Sequence, residues 1–142
     1  MKELRLQPTG YHNNGNNNSG ISELGYTGYP YTDSPNATGN FTGTTITAPS
    51  STSSMGAIIT YQDQAGTNAL NTDIILKLSA DGGSNYTTAT LTAMPDFSTG
   101  IKMAKVNDLT IGTAGTTLKY QILFANQSAS KTARIRGVSL QY

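Results

Sequence analysis

The chain has no cysteine, no tryptophan and a single histidine. Without cysteine there is no disulfide framework, no thiolate metal site and no cysteine nucleophile, so stability has to come from packing and assembly. The one histidine, His12, sits in an asparagine-rich run with no serine-and-acid pattern around it, which leaves a Ser-His-Asp reading without support and makes His12 a solvated loop residue. Charge is scarce as well. Charged residues make up 12% and hydrophobic residues 36% of the 142 positions, against about 25% and 45–50% in ordinary soluble domains. The net charge of +1 lacks the basic excess that partners such as nucleic acid or acidic lipid select. No run approaches the roughly 18 apolar residues of a membrane span. The opening MKELRLQPTG has no apolar signal core, so synthesis in a cytoplasm is expected. The Asn-x-Ser/Thr triplets at Asn36, Asn40 and Asn85 then follow from composition and not from glycosylation.

What fills the chain is Ser, Thr, Asn and 15 Gly. Thr is β-branched and favours strands, while Asn, Ser and Gly are poor helix formers, so an all-β chain with almost no helix is expected. Its length suits one domain.

Residues 1–54 read as a long extended arm. Leu4 and Leu6, closed by Pro8, suit a short edge strand; from Tyr11 to about Ser54 Gly, Asn, Ser, Thr and Pro dominate without helical period. Such a segment cannot bury enough apolar area to offset ordering costs of about 1–2 kcal/mol per residue. It is expected to be held by neighbouring subunits. Within it, GYTGYPY gathers Tyr26, Tyr29 and Tyr31 around Pro30. Aromatic anchors of this kind serve subunit contacts; the same rings are also suited to stacking on sugars.

Residues 55–142 read as a single antiparallel β-sandwich, jelly-roll-like. Met55–Tyr61 is an apolar first strand, followed by the turn-rich Gln62–Gly66. From Asp73, Ile74, Leu76, Leu78 and Ala80 alternate with Asp73, Ile75, Lys77 and Ser79, the period-2 pattern of a half-buried strand. Asp81-Gly82-Gly83 supplies the positive φ of a hairpin turn. Further strands are expected at Thr87–Thr92, ended by Met94-Pro95-Asp96; at Ile101–Val106, turned by Asn107-Asp108; and at Leu109–Ile111, followed by a Gly112–Gly115 loop. Leu118, Tyr120, Ile122 and Phe124 then alternate with Lys119 and Gln121 in a central strand. In the last run Ile135 and then Val138, Leu140 and Tyr142 are apolar, a change of phase that a bulge at Gly137 would produce.

Other chemistry is thinly represented. Asp63, Asp73 and Asp81 are the acids that could meet at one end, as a glycosidase pair or a Ca²⁺ site would require, but turn-capping accounts for each, and the spacing is not that of a calcium loop. No cofactor or metal is expected. From residue 101 the cations Lys102, Lys105, Lys119, Lys131, Arg134 and Arg136 face Asp108 alone, which suits outward charges guarding strand edges.

The segments Ile58–Asp63, Asn71-Thr72-Asp73, Ser79-Ala80-Asp81-Gly82-Gly83 with Tyr86 and Leu91, Leu118-Lys119-Tyr120 and Ile135–Tyr142, in that order, resemble the β-sandwich of tail-fibre and other virion-surface proteins of tailed phages. Relatives tend to carry Arg, Trp and His where this chain has Ala80, Tyr86 and Arg136. The resemblance implies a non-enzymatic structural protein of a bacteriophage virion exterior, a capsid decoration or a fibre component, made in the bacterial host cytoplasm. Its expected partners are itself, as a closed homo-oligomer for which a trimer is the natural count, and other virion proteins. The alternative is a receptor-binding fibre tip that recognises host cell-surface glycan.

Overall fold

The computed structural model of the chain describes residues 37–142, and each regular element among them is a strand. In order they are β1 (Ala37–Thr42), β2 (Ile46–Ala65), β3 (Ile74–Ser79), β4 (Thr87–Thr88), β5 (Thr92–Ser98), β6 (Ile101–Gln127) and β7 (Thr132–Gln141). Their pairings are all antiparallel and join them in one open sheet, so the all-β antiparallel class expected from composition is the class adopted. His12, the Leu4–Pro8 segment and Tyr26, Tyr29 and Tyr31 lie outside the described residues. Among the described residues, regular pairing is present from Ala37 and does not wait for Met55. The Thr- and Gly-rich residues 37–54, read from the sequence as arm, supply β1 and the first part of β2, with Ala48 buried. Their composition hides this because partner strands, not local apolar pattern, hold them.

β6 is the spine. Its first half is flanked by β2 and β5, its second half by β1 and β3. The sequence suggests three shorter strands here, separated at Asn107-Asp108 and Gly112–Gly115; the strand instead runs through both. Ala57 pairs with Val106 and Met55 with Leu109, so Asn107 and Asp108 together face only Gly56. That is a β-bulge, with Asp108 at a φ of 50°, a left-handed conformation Asp tolerates. A wider irregularity follows, where Ile111–Ala114 faces Ser53 between the pairs Ser54–Thr110 and Thr52–Gly115. Turn-forming residues here bend a strand without reversing it.

A similar correction applies to Pro95. It lies inside β5 and does not end a strand before it, because β5 pairs with β6 alone and a residue without an N–H is tolerated on an edge strand beside a register shift. The expected bulge at Gly137 is present: adjacent Thr60 and Tyr61 pair with Gly137 and Ile135, leaving Arg136 extra. β7, the last strand, forms an edge of the sheet.

The alternation that defines β3 is realised as expected on its apolar side. Ile74, Leu76, Leu78 and Ala80 are fully buried, and they join Ala57, Ile59, Ala104, Leu118 and Ile122 in one hydrophobic cluster drawn from both halves of β6. Burying each of the larger side chains contributes about 1.5–3 kcal/mol. Asp73 and Ser79, expected to face outward, are buried too. Both lie where β3 gives way to loops, and their oxygens take loop groups: Asp73 Oδ2 accepts from the Ala69 N–H at 2.8 Å, and Ser79 Oγ from the Gly83 N–H at 2.9 Å.

The β3–β4 hairpin closes through Leu78–Thr87 and Lys77–Thr88, a longer connection than a two-residue turn. Gly82 and Gly83 adopt φ of 78° and 90°, and Asp81 Oδ1 accepts the Asn85 N–H at 2.9 Å. The loop is tied to β6: Thr117 N–H donates to the Ala80 carbonyl at 3.0 Å and Gly82 N–H to the Thr117 carbonyl at 2.7 Å. This approach is so close that a Cβ on Gly115 would stand 2.2 Å from the Ala80 oxygen. Gly115→Ala is expected to destabilise the fold by about 1–3 kcal/mol, whereas Gly39→Ala, with nothing within 4 Å of the new Cβ, should stay within about 0.5 kcal/mol. Urea unfolding of the two variants side by side checks this; equal losses would contradict it.

Candidate binding groove

Two edge strands frame the site. β1 pairs only with β6, and β7 only with β2, among the described residues. Residues opposite one another in a ladder share a face. Phe41 opposes Ile122, so its ring lies on the apolar face with Tyr120 and Phe124, which alternate with Leu118 and Ile122 at every second residue along β6. On β7, Ile135 opposes Tyr61 and Val138 opposes Ile59, both buried. Without the bulge at Arg136-Gly137, Ile135 and Val138 would fall on opposite faces. With it, both line the same side.

Between these strands opens a groove of ≈ 580 Å³ lined by Phe41, Tyr120, Phe124, Ile135 and Val138, with Gln64, Arg134 and Arg136 among its polar neighbours. That volume lies within the usual range for ligand sites, about 300–1,000 Å³. Phe41 remains 53% exposed although its ring centroid is 6.1 Å from that of Tyr120, so an aromatic surface is left facing the opening. Arg136 is held by Gln62, whose Oε1 accepts from its Nη2 at 2.6 Å and its Nε at 3.1 Å.

A polar network fixes the β7 wall. Asn68 donates through Nδ2 to Asp63 Oδ1 at 2.7 Å and to the Thr132 carbonyl at 3.1 Å, and accepts from Gln127 Nε2 at 2.9 Å. Gln127 Oε1 in turn accepts the Ala133 N–H at 2.8 Å. Lys131, in the turn before β7, reaches Asp73 Oδ2 at 2.6 Å, and Lys102 reaches Asp63 Oδ2 at 2.7 Å. Burial alone would push both carboxyls up. For Asp73 the bonds from Lys131, the Ala69 N–H and Asn126 outweigh it, and for Asp63 those from Lys102 and Asn68, so both sit below the ordinary carboxylate range.

The three acids read together in the sequence do not meet. Asp63 and Asp73 belong to this network, while Asp81 stands beyond the far end of β3, its carboxyl lowered to about 2 by the Asn85 backbone N–H, the Asn85 side chain and Ser79. Each caps a loop, as turn chemistry suggests. Among the described residues no three His, Cys, Asp or Glu side chains are grouped to hold a metal. Of the cations from residue 101 onward, Lys102, Lys131 and Arg136 are each engaged with a neighbouring side chain.

No family model, curated protein or solved structure matches the chain. The groove is therefore read by its own chemistry: an apolar, partly aromatic cleft between two strands that each have one partner strand among the described residues. Sequence reasoning missed it. Phe41 stands alone among glycines and threonines, and only the pairing of β1 with β6 across some eighty positions brings it to Tyr120.

The Asp73 network gives a pH dependence. Its folded-state carboxyl is depressed, so the stability it contributes is present above the unfolded value near 3.9 and is lost as pH falls through the folded value. Asp73→Asn is expected to cost about 1.5–3 kcal/mol at pH 7, with the gap from wild type shrinking below about pH 4. Denaturant titrations at a series of pH values measure it; a gap independent of pH would contradict the assignment.

Proposed function

We propose that this chain is a non-enzymatic structural protein of a bacteriophage virion exterior, a capsid decoration or fibre component, which closes as a jelly-roll-like sandwich and self-associates through its N-terminal arm. The virion setting rests on the resemblance carried by residues 55–142. Self-association is supported by one observation above the others: an apolar groove between two strand edges that are unshared among the described residues, in a chain whose first 36 residues are polar, glycine-rich and marked by Tyr26, Tyr29 and Tyr31. An arm that cannot bury enough surface alone and a sheet whose cleft is not covered by any of the described residues complement each other. Because the contact runs from the arm of one copy to the sheet of the next, it has to close into a ring or grow into a filament; a closed trimer with other virion proteins as neighbours is the assembly proposed.

A second reading, a receptor-binding tip for host glycan, draws support from a smaller cleft of ≈ 330 Å³ lined by Thr52, Ser54, Asp108, Gln141 and Tyr142. Hydroxyls, an amide and a carboxylate there surround a Tyr142 ring that is 55% exposed, the mixture of hydrogen-bonding groups and aromatic face that sugars engage.

Light scattering on the full chain at micromolar concentration is expected to give the mass of a small closed oligomer. The chain begun at Ala37 should keep the strand signal in circular dichroism and run as a monomer. A truncated chain with the same oligomeric mass as the full one would remove the arm from the account.

A further inference from the structure

Asp73 holds an amine and an amide on its two oxygens. Lys131 Nζ stands 2.6 Å from Oδ2, and Asn126 Nδ2 donates to Oδ1 at 3.1 Å. A primary amine and a carboxamide therefore meet across one carboxylate whose side chain is 2% exposed. We propose that Lys131 and Asn126 join in an intramolecular isopeptide bond, with Asp73 carrying protons between them. The bond belongs to the described sheet alone and is independent of how copies of the chain assemble.

Before the bond forms, Lys131 and Asp73 rest as an ion pair. Lys131 gives a proton to Asp73 Oδ2 along their contact, and burial favours the neutral amine and acid that result over two buried charges. The neutral Nζ attacks Asn126 Cγ as a nucleophile. The Nζ–Cγ bond forms and the Cγ–Nδ2 bond breaks. Asp73 hands its proton to Nδ2, takes up the second proton that Nζ loses on becoming an amide nitrogen, and passes that one to the departing ammonia. An ammonium group and a carboxamide thus become a secondary amide and an ammonium ion, with no oxidant or other co-reactant. Both contacts lie within the roughly 2.6–3.2 Å reach of proton transfer.

The backbone fixes both partners in place. Ala125 N–H donates to the Asp73 carbonyl at 2.9 Å, and Ser128 and Lys131 exchange backbone hydrogen bonds of 2.9 and 3.1 Å across the β6–β7 turn. Asn126 itself has a φ of 55°, a left-handed conformation that Asn tolerates. Groups held together in this way react without the entropy cost of an encounter. The other lysine–aspartate pair differs. The Asp63 side chain is 17% exposed, and its amide neighbour Asn68 is committed to other partners, the Thr132 carbonyl through Nδ2 and Gln127 through Oδ1. The link at Asp73 would tie the end of β6 to the start of β7 in a chain that has no cysteine to do so.

Mass spectrometry tests this directly. The purified full chain, held overnight at neutral pH and measured intact under denaturing conditions, is expected to be lighter than its sequence by one ammonia. Trypsin should then cut after Lys119 and Arg134 but pass over Lys131, leaving residues 120–134 as one peptide that lacks the ammonia. Lys131→Arg keeps a positive charge beside Asp73, and Asn126→Gly keeps the positive φ; each is expected to show its full sequence mass. A wild-type chain of full mass overturns the proposal. An ammonia loss that persists in Lys131→Arg is a succinimide at an asparagine and overturns it as well. Loss of one water in place of ammonia would put the bond on Asp73 and remove Asn126 as the acceptor.

Discussion

The structure depends on one strand that finds partner strands from one end to the other. β6 carries β2 and β5 on its first half and β1 and β3 on its second, so the two ends of the sheet are joined by continuous backbone hydrogen bonding. A run of 27 residues is several times the usual strand of about 5–6, and a strand of that length stays usable only by bending. The bulge at Asn107-Asp108 and the irregularity across Ile111–Ala114 supply the bends. They also let side chains from both halves, such as Ala104 and Ile122, reach one cluster.

How much of this was legible in the sequence depends on how local the deciding contacts are. The alternations at Ile74–Ala80 and Leu118–Phe124 are set by neighbours two residues apart, and they mark the core accurately. The phase change at Gly137 likewise betrays its bulge. Asn107-Asp108 and Gly112–Gly115 look like chain reversals because the same residue types serve turns and bulges; which of the two forms is decided by whether β2 lies alongside to continue the ladder. The strands over 37–54 were hidden for the same reason, as polar residues held by a distant partner leave no local pattern. Asp73 and Asp81 did read correctly as loop caps, although the burial of Asp73 beside Lys131 depends on the β6–β7 turn, some sixty residues further on.

The candidate site follows from that architecture. β1 and β7 are edges of the sheet that face a common cleft because β6 turns one half toward the other, and the Gly137 bulge brings Ile135 and Val138 to the same side. The network of Asp63, Asn68, Gln127 and the Thr132 carbonyl holds the start of β7; among the described residues no buried side-chain nitrogen or oxygen lacks a partner. Polar bonding at the start of β7 gives way to the apolar wall that Ile135 and Val138 present further along the strand. The lining of the cleft is mainly apolar and aromatic, from Phe41, Tyr120, Phe124, Ile135 and Val138.

Native-state hydrogen exchange measures the claim that β6 unites the sheet. If the strand is one spine, the amides of Ala104 and Val106 in its first half and of Leu118 and Ile122 in its second should exchange with the same opening free energy, equal to that of global unfolding. Two distinct free energies, with one half of β6 opening while the other stays protected, would contradict the account.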